Sequence, residues 1–422
     1  MSAAYDLAKA GHSVTIFESD ENVGGLASGF KEPNWDWSVE KYYHHWFASD
    51  RYMLGFIKEL GWEDQVVFRR PYTVMYHEGK FYPFDSITSN IPFFMLRHYP
   101  LVEVARFGMI GLFLRLTNNW QSLEKATVDE WMRKWAGDRV YEAMWQPLVV
   151  GKFGERYARV VNMAWLWARL KARTTRLGTF KGGFQAFSDK LADCLRQMGV
   201  EIRLATPVTR IAPSNENSLT LESGSFGAIH FDQCLVTVSP GVLARLAPDL
   251  PGNFLQGLLN LKSMGAVVMI LSLKHALSEE GYYWYNIPKS VGFPFLSLVE
   301  HTNFLAPEHF GGDHIVYIGD YLETDHEYFR LGKDELLERF VQWLPRFNPK
   351  FQPDWIKKTW LFRTPYAQPI PMVNHSRNIP ELQTPIPGLF FASMSQVYPW
   401  DRGTNFAVEI ARRAAKKMMD LA

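Results

Sequence analysis

The stretch 11–25, GHSVTIFESDENVGG, limits what this chain can fold into more than any other. Val14, Ile16 and Phe17 form a short apolar run of the kind a covered parallel strand carries. The run ends in Glu18. Residues 3–10 ahead of it predict a helix, and Gly11 supplies its left-handed stop. Helix, strand and a terminal acid make the second half of a dinucleotide-binding βαβ unit, in which the acid accepts hydrogen bonds from a ribose. Gly24 and Gly25 follow, where a backbone comes close to something flat or phosphorylated. The first half of such a unit, a strand and a G-x-G-x-x-G turn with amides aimed at a pyrophosphate, does not precede it. The chain opens as MSAAYDLAKAG, already inside the helix. The expectation is therefore a start downstream of the true one, or a fragment. Taken alone, residues 1–25 also fit an ordinary helix–strand pair with an incidental glutamate.

Two later stretches are organised in a compatible way. Residues 181–208, KGGFQAFSDKLADCLRQMGVEIRLATPV, predict a helix whose apolar face holds Phe184, Phe187, Leu191 and Leu195, stopped by Gly199, and then a strand over 200–204. Meander strands follow at 208–212, 218–223 and 228–231, and 234–238 predicts a buried strand ending near Pro240 at a helix start. Residues 388–393, GLFFAS, predict a last buried strand. Residues 401–405 sit where a final helix begins, with Ala407, Ile410, Ala411 and Ala414 as its small apolar face.

Between these lie other elements. Residues 33–47, PNWDWSVEKYYHHWF, crowd two histidines, two tyrosines and three tryptophans together. A helix is expected over 50–60, and a hairpin over 73–84 turning at Glu78-Gly79. Residues 100–116, PLVEVARFGMIGLFLRL, are strongly apolar but too short to span a bilayer, and predict a buried or interfacial helix. Helices are expected over 127–135, 141–150 and 161–173, with Trp165 and Trp167 in the core. An apolar strand follows at 264–273. FRTPYAQPIP, 362–371, predicts a Pro-rich turn. Glu300 and His301 in SLVEHTNF, 297–304, fit either a functional pair or a structural one on a strand edge.

With 422 residues the chain holds two or three domains, and 47% hydrophobic content supports a large core. The net charge of +1 gives no pull toward nucleic acid. Two cysteines without metal or disulfide spacing argue against a zinc site and suit a reducing, cytoplasmic setting. The 15% aromatic content suits a large apolar pocket.

The segments AAYDLAKAGHSVTIFESDENVGG, KGG to TPV, and GLFFAS to DRGTN, in this order, resemble the flavin amine oxidase and protoporphyrinogen oxidase superfamily, which also holds phytoene desaturases and UDP-galactopyranose mutases. The resemblance implies an α/β fold. A Rossmann-like FAD-binding domain would be built from 1–61, 179–245 and 385–422. A second, mixed-sheet and helical substrate domain would come from 62–178 and 246–384. It implies FAD as cofactor, with Glu18 at the adenosine ribose, Gly24 and Gly25 along the cofactor, and the Val208 backbone at the adenine edge. Gly403, Thr404 and Asn405 would meet the flavin pyrimidine oxygens. Tyr42, His44 and His45 would pass beside the ring, a neutral histidine donating a hydrogen bond or relaying a proton near neutral pH. Arg363 and Tyr366 would form the far wall of the pocket.

The implied activity is hydride transfer from a small organic substrate to flavin N5, with no obligatory base or metal visible. Many amine oxidases carry a lysine on the strand that here reads Ala266, Val267, Val268, which counts against amine oxidation. Glu300, His301 and Phe304 resemble the mutases, but Ser297 stands where those have an arginine. A non-redox UDP-galactopyranose mutase is the alternative, and an inactive truncated flavoprotein a third. Some family members seat a helix like 100–116 against a membrane, so peripheral contact stays open.

Overall fold

The computed structural model describes residues 1–86, 88–214 and 218–421. Helix α1 (Ser2–Lys9) runs into strand β1 (Thr15–Phe17), and Gly11 ends the helix with φ +90°. Helix α2 (Arg51–Glu59) follows. Strands β2 (Tyr72–His77) and β3 (Lys80–Pro83) form the expected hairpin, with Glu78 and Gly79 both at positive φ in its turn.

A helical stretch comes next. It comprises α3 (Asn90–His98), α4 (Leu101–Leu116), α5 (Val128–Ala136), α6 (Gln146–Ala158) and α7 (Met163–Ala172). Thr127 and Glu130 close a capping box on α5, and the Asn162 side chain caps α7. Trp165 and Trp167 are buried in this helical core with Met132, Val149 and Phe153.

Helix α8 (Gly183–Gln197) leads to β4 (Glu201–Arg203), which pairs in parallel with β1. Strand β5 (Cys234–Val236) ends just before Pro240 at the first turn of the next helix. Between β4 and β5 lies the three-stranded meander; its 215–217 connection falls outside the described residues.

Five strands of the central sheet follow: β6 (Ser263–Leu273), β7 (Tyr282–Asn286), β8 (Ser297–Glu300), β9 (His314–Leu322) and β10 (Ile356–Pro369). With the hairpin they make a seven-stranded sheet in the order β10-β6-β9-β8-β7-β2-β3. Only β7 and β2 pair in parallel, so the sheet is mixed. Last come β11 (Leu389–Phe391), parallel to β5, and α9 (Thr404–Met419). The whole is an α/β fold with parallel strand pairs covered by α1, α8 and α9 on one side of the chain's organisation, and a mixed sheet with helices on the other.

One expectation fails here. Residues 362–371 do not form a Pro-rich turn. Strand β10 runs through Arg363, Pro365 and Tyr366 to Pro369. It can do so because β10 is an edge strand with a bulge: Met264 pairs with Gln368 and Ala266 with Thr364, leaving three residues opposite Gly265. Proline is tolerated at an edge or bulge, where its missing N–H breaks no ladder bond. A Cβ at Gly265 would lie 2.7 Å from the Thr364 carbonyl oxygen, so the close approach needs glycine.

Candidate active site

The start of α9 is fixed by side chains. Trp46 Nε1 donates to Thr404 Oγ1 at 2.9 Å. Asn405 Oδ1 accepts from the Tyr52 and Met53 amides at 2.9 and 3.0 Å, and so caps α2. Arg412 forks onto Asp6 with two 2.9 Å bonds and reaches Glu59 at 2.8 Å, tying α9 to α1 and α2. The Asn405 side chain is thus committed to the fold. What the helix end leaves open are the Thr404 and Asn405 amides, since those of Phe406 and Ala407 donate to the Gly403 carbonyl; the open amides carry the positive end of the helix dipole.

Glu18 closes β1. Its amide donates to the Arg203 carbonyl at 2.9 Å and its carbonyl accepts from Thr206 at 2.8 Å. One carboxylate oxygen accepts from the Asp20 amide at 2.9 Å; the other has no partner among the described residues. Two residues beyond Thr206, the Val208 amide and carbonyl also have none. Gly24 has φ +118°, and a Cβ there would sit 3.1 Å from Ser28 Cα and 3.3 Å from Ser188 Oγ. Around Gly25 there is open space instead.

A line of contacts joins the Gly24 turn to the α9 start. Gln185 donates to the Val23 carbonyl at 3.2 Å, Phe184 beside it packs on Trp46 with ring centroids 4.7 Å apart, and Trp46 bonds Thr404. Open acceptors, open amides, a glycine facing free space and a helix N-terminus form a donor set that fits an extended dinucleotide.

Tyr42, His44 and His45 are half-buried beside this line. His44 Nδ1 bonds the Tyr42 carbonyl, so a neutral His44 has its proton on Nδ1 and presents Nε2 as an acceptor. Burial first, then the Arg402 charge, hold His44 down to about 4, against the carbonyl bond. Burial, Arg173 and His44 hold His45 down to about 3. Both imidazoles are thus held neutral, the state expected of a histidine beside the ring, and His44 presents an acceptor rather than a donor at Nε2. His45 Nδ1 and the Tyr43 hydroxyl are buried with no partner among the described residues.

A charged cluster beside the α9 start was not visible in the sequence. Lys152 on α6 lies with Nζ 4.0 Å from the centre of the Tyr321 ring, near the end of β9. Arg402, just before α9, donates to the Tyr321 hydroxyl, and through Nε to Gln368 Oε1 at 3.0 Å. Gln368 Nε2 donates to Asp401 at 3.2 Å, and Arg169 on α7 donates to the other Asp401 oxygen at 2.6 Å. All of these except buried Gln368 remain half-buried. Burial raises the Tyr321 phenol, but Arg402 and Lys152 overcome it and bring the group down to about 8. Burial lowers Lys152 to about 8 as well. Asp401, raised by burial, is brought down to about 2 by Arg169, Lys152 and Arg402. Only Asp401 and Arg402, next to Gly403, gave a local signal. Lys152 and Arg169 come from separate helices. A Cβ at Gly151 would fall 2.3 Å from the Leu296 side chain, so glycine lets α6 approach the sheet there.

Arg363 and Tyr366 do not reach this cluster. Arg363 is spent on backbone carbonyls, donating through Nε to Tyr328 at 2.7 Å and through Nη2 to Leu331. The Tyr366 hydroxyl is 2.7 Å from Ser395 Oγ and accepts from the Ser395 amide at 2.9 Å, which clamps the loop after β11. Glu300 is fully buried, its two oxygens accepting from the Leu277 and Ser278 amides at 2.7 Å each. His301 is sealed beside Phe304, Phe310 and Tyr317. Its two ring nitrogens are buried with no partner among the described residues.

An α/β fold with this donor line and an acid–base cluster at its helix end defines an enzyme of the flavin-dependent oxidoreductase class. The chain belongs to the family of flavin-containing amine oxidoreductases, whose model matches residues 1–419. No curated protein sequence matches it. Among solved structures it is similar to a protein assigned as a protoporphyrinogen oxidase from Exiguobacterium sp., at 16% identity and TM-score 0.76, over 99% of this chain and 95% of that one. It is similar to the cyclohexylamine oxidase of Brevibacterium oxydans IH-35A, at 15% identity and TM-score 0.72, over 99% and 96%. Reduced UDP-galactopyranose mutase matches at 13% identity and TM-score 0.74, over 100% and 93%. At these identities the likeness is one of fold.

Proposed function

We propose that the chain binds FAD along the line from Glu18 to α9 and oxidises a small organic substrate in the crevice beside Tyr321. Glu18 would hold the adenosine ribose, Val208 the adenine edge, and the open backbone beside Gly24 and Gly25 the nucleotide between. The first-turn amides of α9, from Gly403 to Asn405, would meet the flavin oxygens. Bound FAD supplies the hydride acceptor.

The chain's own residues handle the proton. Tyr321, lowered to about 8, is ionised in an appreciable fraction near neutral pH and can take a proton from a substrate O–H or N–H. Arg402 holds the phenol oxygen by a hydrogen bond, and Lys152 stabilises the phenolate from the ring face. His44 Nε2 is a second acceptor that stays neutral across this range. Asp401, held ionised by Arg169, keeps Gln368 and thus Arg402 in place.

The single observation that carries this reading is Tyr321 set between two cations next to the α9 start. The mutase reading loses local support, because Glu300 is taken up by two backbone amides and Arg363 by carbonyls. Two measurements test the proposal. Titration of the protein with FAD and with FMN should give a tight yellow complex with FAD and a much weaker one with FMN, and Glu18→Ala should weaken FAD only. Oxygen uptake or dye reduction should then appear with an amine or porphyrinogen panel. A chain that stays colourless with FAD contradicts the cofactor assignment, and turnover of UDP-galactopyranose under dithionite without net oxidation contradicts the redox assignment.

A further inference from the structure

At the outer edge of the seven-stranded sheet three metal-binding side-chain types meet. His77 ends β2, Glu78 sits in the β2–β3 turn and His98 ends α3. One ring nitrogen from each histidine and one Glu78 carboxylate oxygen all lie within 4.8 Å of one another. His77 Nε2 is 3.8 Å from Glu78 Oε1. Packing holds the rings in place: the His98 centroid is 4.6 Å from that of Phe94, 5.3 Å from Tyr82 and 4.9 Å from His77. His98 Nε2 is buried with no partner among the described residues. A buried ring nitrogen left without a partner is costly, and a bound ion removes that cost. Turn chemistry does not call for the glutamate. Glu78 has φ +46°, a left-handed conformation that asparagine, aspartate or glycine takes more readily.

We propose that His77, Glu78 and His98 form a site for a divalent transition metal ion, Zn²⁺ foremost, that staples the hairpin to the end of α3. Two imidazole nitrogens and one carboxylate oxygen are a zinc donor set, with water to complete the tetrahedron. Mg²⁺ and Ca²⁺ take oxygen donors instead. Ligand atoms in such a zinc site stand about 3.4 Å apart, so the cluster has to close by about 1 Å. Glu78, 77% exposed in its turn, is free to make that move. The sequence argued against a cysteine zinc site, and this one uses no cysteine. Its residues carry no spacing motif and meet only because α3 packs on β3. The site is distinct from the crevice: β2 stands three places from β9 in the sheet, roughly 14 Å by strand spacing. Its effect is therefore on the stability of the hairpin and the helices beside it.

Calorimetric titration of the tag-free protein with ZnCl₂ near neutral pH, with MgCl₂ as the comparison, tests this. The wild type should take up one Zn²⁺ per chain and no Mg²⁺, and Zn²⁺ should raise its melting temperature. His98→Ala should weaken Zn²⁺ binding about a hundredfold, through loss of a protein ligand. Glu78→Asn should weaken it about tenfold, yet melt no lower than the wild type when zinc is absent, because asparagine suits the turn. This second variant keeps the test decisive if His98→Ala fails to fold. A wild type that binds no Zn²⁺ overturns the proposal, as does equal uptake of Mg²⁺. So does Zn²⁺ binding that the variants retain undiminished; that result gives the ion to other side chains, such as Cys194 or Cys234.

Discussion

Two ionisable clusters stand on neighbouring strands of one sheet and have opposite fates. Glu300 ends β8 and His301 opens the turn after it; Tyr321 lies near the end of β9, which pairs with β8. Glu300 is taken up by the backbone amides of Leu277 and Ser278, and His301 is enclosed by aromatic rings. Tyr321 instead gathers Lys152 from α6 and Arg402 from the α9 approach, and stays half-buried. A buried acid satisfied by amides of its own neighbourhood holds a fold together. A set of charges drawn from several elements into a crevice, with shifted proton affinities, is where chemistry is placed. Adjacency of Glu and His along the chain does not distinguish the two; the partners do.

The largest effect that could break this contrast is on turnover. Tyr321→Phe should lower kcat about a hundredfold and remove a limb of the pH profile near 8, the scale of one lost general base. Glu300→Gln, read in the same assay, should leave kcat within about twofold.

Stability should reverse the order. Glu300→Ala strands two buried amides and should cost about 3 kcal/mol in urea unfolding, while Tyr321→Phe should cost under about 1 kcal/mol. The pH dependence sharpens the point. Burial raises Glu300 from 4.5 to about 7, despite the bonds from Leu277 and Ser278. Between those values the unfolded chain has released the proton and the folded chain retains it. Stability from this group is therefore full below pH 4.5, falls as pH rises toward 7, and is flat above, a span of roughly 3 kcal/mol. Burial raises Glu40 to about 7 too, where its carboxylate accepts from the Phe184 amide at 2.9 Å. Glu300→Gln should remove its share of the slope; an unchanged slope would contradict the assignment. The smallest effect expected is from Tyr366→Phe, about 1 kcal/mol of stability through the Ser395 contacts, with turnover unchanged.

How much of this could be read in advance follows the range of the interactions. The α1–β1 pair ending in Glu18, the Glu78-Gly79 hairpin and the α9 start depend on local periodicity and glycine, and all three were legible. Strand β10 was not, because Pro365 signals a turn unless one knows that the strand lies at an edge with a bulge. Asn405 was singled out, but that its side chain would cap α2 depends on a contact with residues 52–53. Arg363 and Tyr366 were named for their chemistry, and both turned out to hold loops. Lys152 and Arg169 carry no local pattern at all; their roles exist only once two helices meet β9 and the α9 approach.

Tyr321 is one phenol among 18 tyrosines. Ultraviolet titration of tyrosinate in the purified protein reads it without any substrate. The wild type should ionise one tyrosine near pH 8, absent in Tyr321→Phe and moved up toward the ordinary tyrosine range in Lys152→Met. A wild type in which no tyrosine ionises before that ordinary range would contradict the claim that Lys152 and Arg402 make Tyr321 the acid–base group of this crevice.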